Sequence, residues 1–351
     1  MKKTTYTQQT PLSCRPRTRA VWSLLCIAAT ATLFAATLAS CHGRSRSTAA
    51  ADTIALATAP DFNADSAMAY VEAQCAFGPR VPGTEPHKAC GDWITARFQS
   101  LGCQVGEHNT TVVGYDGTNM PCRNIQARLN PEAADRILIT AHWDSRAWAD
   151  HDADDANHRQ PVMAANDGAS GVAVMLEIAR ATAAAGLTYG IDFVCFDAED
   201  QGTPEWADNG ADDDFWCLGS KAWAQQAFAI GYQARYAVNL DMVGGQGARF
   251  AMEGFSRRYA STLVDMVWHI AHQIGYGEYF PLQEGGYVTD DHLPVNTIAH
   301  IPAIDIIAHH EGYDSSFGPT WHTTADTPDA IDPAVMQAVG QTMLQLIYND
   351  N

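Results

Sequence analysis

Five segments of the chain carry side chains that can bind a metal or move a proton. His142 and Asp144 stand in HWDSR, Asp167 in NDGASG, and Glu199 with Asp200 in FDAEDQG. Asp241 stands in NLDMVGG, and His322 far downstream in TWHTTADTP. Two imidazoles with several carboxylates, and no Cys-x-x-Cys pair, suit zinc in a catalytic site whose last position is left to water or substrate. Taken singly, each residue has a plainer role. A lone His or a strand-end Asp usually satisfies local structure. Asp167 could cap the helix that GASG opens, and Asp144 could orient His142 instead of binding metal. The order of the set, with two acids side by side at its centre, is what points to chemistry.

Those residues need rigid supports, and the flanking sequence reads as such. RILITAH (136–142) is an apolar run without alternation, as in a strand buried on both faces. Val172, Met175, Leu176 and Ala179 then fall at helical spacing over 168–185. GIDFVCFD (190–197), YAVNLDM (236–242) and PAIDIIA (302–308) read as further buried strands. Helical patterns separate them at 219–228 and 256–274, and Val335, Met336, Val339, Met343 and Leu346 mark a final helix. Strand–helix alternation predicts an α/β domain over 61–351, with a central, mostly parallel mixed sheet covered by helices. Each candidate ligand then follows the carboxyl end of a strand, where open α/β sheets bind their ligands.

Composition narrows the partners. The 351-residue chain is 46% apolar and 17% charged, with a net charge of −19. The first 40 residues hold five cations and no acid, so the rest is more acidic still. Such a surface repels phosphate backbones, which argues against a nucleic-acid partner. Residues 1–40 pair a basic start with the uncharged stretch 20–39, the pattern of a secretory signal. Leu38-Ala39-Ser40-Cys41 resembles a bacterial lipobox. That likeness implies cleavage before Cys41, lipidation of its sulfur, and a tether over 41–60 holding a periplasm-facing domain to a membrane. A transmembrane anchor is the alternative for so long an apolar run. Six cysteines remain beyond Cys41, an even number that permits disulfides without specifying their pairing. Cys195, inside an apolar strand, reads as a buried thiol. The acid-rich stretches 151–158 and 207–216 read as a solvated rim, and His269 and His272 as surface residues.

In their order, the motifs closely resemble the zinc aminopeptidase and glutaminyl cyclase superfamily over nearly all of residues 61–351. The resemblance implies a zinc site above the strand ends and one of two activities. In the dizinc aminopeptidases, the first ion would take His142, Asp167 and Asp241. The second would take Asp167, Asp200 and His322, with Glu199 as the general base for water. In the cyclases a single zinc maps to Asp167, Asp200 and His322, and Glu199 handles the substrate's proton.

Other matches favour the cyclase. Trp206, Phe317 and Trp321 correspond to aromatic residues of the cyclase pocket. Asp290 in TDDHLP corresponds to an Asp that shares hydrogen bonds with Asp241 and Glu199. Asp305 falls where animal cyclases carry a pocket-side His. The pair Glu199–Asp200 replaces the usual Glu–Glu, as in bacterial cyclases. The resemblance therefore implies a glutaminyl-peptide cyclotransferase. It would act on peptides and proteins with N-terminal Gln, forming pyroglutamate and releasing ammonia, with zinc polarising the γ-carbonyl.

Overall fold

The computed structural model describes residues 55–207, 214–313 and 315–351, all within one compact unit. The signal sequence, Cys41 and most of the expected tether lie outside the described residues. Residues 57–60 are not tether. Ala57 and Pro60 offer their carbonyls to Gln345 and Gln341 of the last helix, so the folded domain starts before residue 61. Among the described residues, no helix is long and apolar enough to cross a membrane.

Three fully buried strands form the centre: β3 (Arg136–His142), β4 (Gly190–Phe196) and β5 (Ala237–Asp241). β6 (Ala303–Ile307) is buried as well. β3 pairs in parallel with β4 and β5, and β5 in parallel with β6. Two strands that the sequence pattern did not disclose, β1 (Gln104–Val113) and β2 (Asn119–Leu129), extend the sheet antiparallel to give the order β1-β2-β4-β3-β5-β6. Hidden parallel strands need both faces covered, which is why they read as unbroken apolar runs.

Helices supply the cover. On one face Ile137, Ile139 and Phe193 pack with α1 (Ala64–Cys75), α2 (Glu85–Ser100), α3 (Ala169–Thr182), α5 (Gly254–Gln273) and α7 (Pro333–Asn349). On the other, Leu138, Val194 and Phe196 meet Trp223 of α4 (Leu218–Ala229) and Val295 of α6 (His292–Thr297). Each large apolar side chain so buried contributes about 1.5–3 kcal/mol. At Gly171 a Cβ would come within 2.2 Å of the Leu240 carbonyl. The missing side chain lets α3 lie directly on β5, fixing the height at which Asp167 enters the site.

The helices and strands expected after residue 135 all form, within a few residues of their expected ends. α1 and α2 were not foreseen. The buried face of α2 is His87, Cys90, Gly91, Ile94 and Phe98, correctly spaced but built partly of small and polar residues. All six cysteines among the described residues are free and buried, Cys195 included.

Candidate metal centre and pocket

Three strand ends and one helix start converge. β3 delivers His142, the turn after β4 delivers Glu199 and Asp200, and β5 delivers Asp241. Asp167 enters just before α3. It is not that helix's cap, because the N-cap is Gly168, without a side-chain bond. At Gly168 a Cβ would stand 2.7 Å from the His142 ring, so the absent side chain makes room for that imidazole. His322 arrives from the loop before α7 with φ +54, and Ala198 (φ +52) and Met242 (φ +49) flank the other ligands. Left-handed backbone at three non-glycine residues around one site is strain of the kind that functional sites hold.

Two sets of groups result, each with its ligand atoms within 4.8 Å of one another: His142, Asp167 and Asp241, and Asp167, Asp200 and His322. They differ in how they are satisfied. In the first, His142 Nε2 is 2.9 Å from Asp167 Oδ1 and 3.2 Å from Asp241 Oδ1. Burial works against a charge on this imidazole. The flanking Asp144, Asp167 and Asp241 outweigh it and hold its pKa well above the ordinary value. His142 Nε2 is thus already engaged by two acids.

In the second set, His322 Nε2 lies 3.0 Å from Asp200 Oδ1 and 3.7 Å from Asp167 Oδ2. Asp167 Oδ2 and both oxygens of Asp200 are buried without a hydrogen bond. Burial, with the adjacent Arg146, His151 and His142, holds the His322 imidazole well below its usual pKa, so it is neutral. Burial and the Asp167 charge push Asp200 well up. Two Asp side chains and one imidazole, with buried oxygens that lack hydrogen bonds, form a donor set that fits a tetrahedral zinc ion with one open position.

A surrounding shell fixes these groups. Asp144 accepts the backbone N–H groups of Glu199 (3.1 Å) and Asp200 (3.3 Å) and the side-chain amide of Gln201 (3.0 Å). Arg146, itself buried and paired with Asp150, donates to the Asp200 carbonyl at 3.2 Å. Asp326 accepts the N–H groups of Asn166 (2.8 Å) and Asp167 (3.1 Å). Asp152, within the acid-rich stretch 151–158, accepts from the N–H and hydroxyl of Thr324 and anchors the His322 loop. That stretch is therefore more than a solvated rim.

The groups open into a pocket of about 570 Å³ lined by Asp167, Glu199, Asp200, Asp241, Asp290 and His322. Phe317 and Trp321 stand in its wall, their rings 4.9 Å apart. Trp206 does not. Its indole packs on Trp148 at 6.1 Å and lies under Arg159 at 3.7 Å, outside the lining residues. The wall position expected of it belongs to Trp216, stacked on His322 at 5.8 Å and 7°. Trp216 fits because position 202 is Gly, where a Cβ would fall 2.0 Å from the indole. Nothing in the spacing separated these two tryptophans. Asp290 accepts from Asn239 at 2.9 Å and faces the pocket, whereas Asp305 is wholly buried in β6 behind it. Asp305 is thus not a pocket-side group. His269 and His272 are at the surface, as expected.

The match to known proteins agrees with this geometry. The model of peptidase family M28 matches residues 124–347. No curated protein matches the sequence. Among solved structures, a glutaminyl cyclase from Bacteroides thetaiotaomicron bound to N-acetylhistamine is 44% identical, with a TM-score of 0.81, and the match covers 84% of this chain and 100% of that one. A Tannerella forsythia glutaminyl cyclase is 46% identical over 83% of this chain and 100% of its own, also with a TM-score of 0.81. A Zn-dependent exopeptidase from Parabacteroides distasonis has the same identity, coverage and TM-score. Family and exopeptidase neighbour both imply zinc. With the family model spanning more than half its length, and with these structures as neighbours, the chain belongs to peptidase family M28, in the company of its bacterial glutaminyl cyclases.

Proposed function

We propose that the protein cyclises N-terminal glutamine of peptides and proteins to pyroglutamate, releasing ammonia. The observation that carries the choice of reaction is the contrast between the two ligand sets. Asp167 Oδ2 and both oxygens of Asp200 have no hydrogen bond, while His142 Nε2 is engaged by Asp167 Oδ1 and Asp241 Oδ1. This supports one zinc per chain. Held by Asp167, Asp200 and His322, zinc would supply a Lewis acid to the γ-carbonyl of the glutamine.

The rest falls to the chain's own side chains. Glu199 takes a proton from the α-amine and returns it to the departing ammonia, so it must reach both groups and exchange protons near neutrality. Burial raises its carboxyl well above the ordinary range. His142 opposes that rise, and Asp291, Asp200 and Asp290 reinforce it. Asp241, pushed to about 7 by burial and by Asp290, lets the acids near Glu199 share protons instead of all ionising. Trp216, Phe317 and Trp321 form the wall that folds the glutamine side chain back on its own amine. Holding that conformation lowers the barrier of an intramolecular attack. The location reading belongs to the proposal too: the pattern of residues 1–41 supports an exported lipoprotein facing the periplasm.

The test follows ammonia release from Gln-dipeptides beside hydrolysis of aminoacyl anilides by the zinc-loaded protein. Pyroglutamyl product without anilide cleavage is the expected result. Anilide cleavage without cyclisation would instead make His142 and Asp241 ligands of a second zinc in an aminopeptidase.

A further inference from the structure

Cys217 is buried and sits at the N-cap of α4 with φ +56 and ψ +34. That left-handed conformation is costly for any residue with a Cβ and free for glycine. The backbone around it is tied to the acid pair: Cys217 N–H donates to the Glu199 carbonyl at 2.9 Å, and Leu218 N–H to the Ala198 carbonyl at 3.1 Å. The conformation turns the side chain inward, where Sγ donates to Glu199 Oε1 at 3.3 Å. Asp290 completes a triplet with them, all ligand atoms lying within 4.8 Å.

We infer that Cys217 is a positioning residue for the proton-carrying Glu199, its thiol holding Oε1 so that the other carboxylate oxygen is presented to the substrate. The inference rests on the role of Glu199 proposed above, but not on which reaction Glu199 serves. A thiol suits the place. It is a donor too weak to lock the carboxylate in its ionised form, as a guanidinium or backbone amide would, yet directional enough to select one rotamer. Burial, and the acids Glu199, Asp291 and Asp290, hold the thiol protonated, so it remains a donor. No change in the oxidation state of the sulfur is involved.

Two measurements on the full, zinc-loaded chain test this. The first reads the contact without activity, as the S–H stretch isolated by subtracting the Cys217→Ser spectrum from that of the wild type. A lowered frequency that rises in Glu199→Ala is expected. An unshifted stretch that ignores Glu199→Ala overturns the contact. The second is kinetic: Cys217→Ala should lower kcat about tenfold with KM nearly unchanged, and Cys217→Ser, which restores a donor, should recover most of it. Zinc content should stay at the wild-type level in both. Wild-type kcat in Cys217→Ala overturns the inference, and so does an equal loss in Ala and Ser variants with equally lowered Tm, since that marks packing alone. If the wild type hydrolyses anilides and does not cyclise glutamine, the cyclase proposal fails. The same Ala–Ser comparison on hydrolysis then still decides the role of Cys217.

Discussion

Asp144 Oδ1 accepts the backbone N–H of Glu199 at 3.1 Å, which makes the one acid of HWDSR the support of the loop that carries the acid pair. Its other oxygen takes Asp200 N–H. One buried carboxylate therefore sets the height of both Glu199, the proposed proton carrier, and Asp200, a proposed zinc ligand.

Replacing Asp144 by Ala strands those two buried N–H groups, each costing about 1–3 kcal/mol. Zinc affinity should fall ~10–100-fold, the usual consequence of losing a group that orients a ligand. Competition with a chelator of known affinity measures it. Unchanged affinity would show that the loop holds its shape without Asp144.

Zinc should stabilise the fold. Asp167 Oδ2 and both Asp200 oxygens lie buried without a hydrogen bond, so removing the ion should lower Tm, and added zinc should restore it in proportion to ln(1 + [Zn]/Kd). Asp200→Ala should bind no zinc and show no such increment, whereas Glu199→Ala should keep the metal and lose turnover. His142→Ala, judged by metal analysis, should retain the wild-type content. A drop from two ions to one in that variant would refute the single-zinc reading.

The two tryptophans near the acid pair should behave differently. Trp216→Ala removes a wall stacked on His322 and should cost about tenfold or more in kcat/KM for Gln-dipeptides. Trp206→Ala should stay within about twofold. Gly202→Ala should imitate Trp216→Ala, because a Cβ there displaces the indole. Steady-state kinetics of the three variants settle it, and a larger loss at Trp206 would return that residue to the pocket.

Stability in acid should depend on Glu253, the N-cap of α5. Burial works to raise its pKa. His292 and the N–H groups of Phe255 and Ser256 outweigh that and lower it from 4.5 to about 2. A depressed carboxyl stabilises the fold above its ordinary pKa, and the contribution disappears as pH falls from 4.5 toward 2. Glu253→Gln should therefore lose about 3 kcal/mol at neutral pH and show a shallower decline below pH 4.5. Urea unfolding across pH 3–7 checks both. Parallel pH curves for the two proteins would contradict the assignment.

The sequence by itself determined the parallel core of the sheet, because strands hidden on both faces must be written as apolar runs, and RILITAH and GIDFVCF are such runs. It also determined which strand ends carry acids and imidazoles, since those residue types are costly to bury without a task. It was silent on α2, whose inner face is padded with His87, Cys90 and Gly91, and on β1, an edge strand with little to bury. Only the tertiary structure decided that Trp216 and not Trp206 stands in the wall, that Asp144 supports a loop, and that His142 Nε2 is engaged by two acids while both Asp200 oxygens lack a hydrogen bond. Each of those depends on distances between segments tens to hundreds of residues apart. A pattern along the chain fixes which face a side chain occupies, but the charge and pairing of a buried group are set by whatever the fold brings within a few ångströms of it.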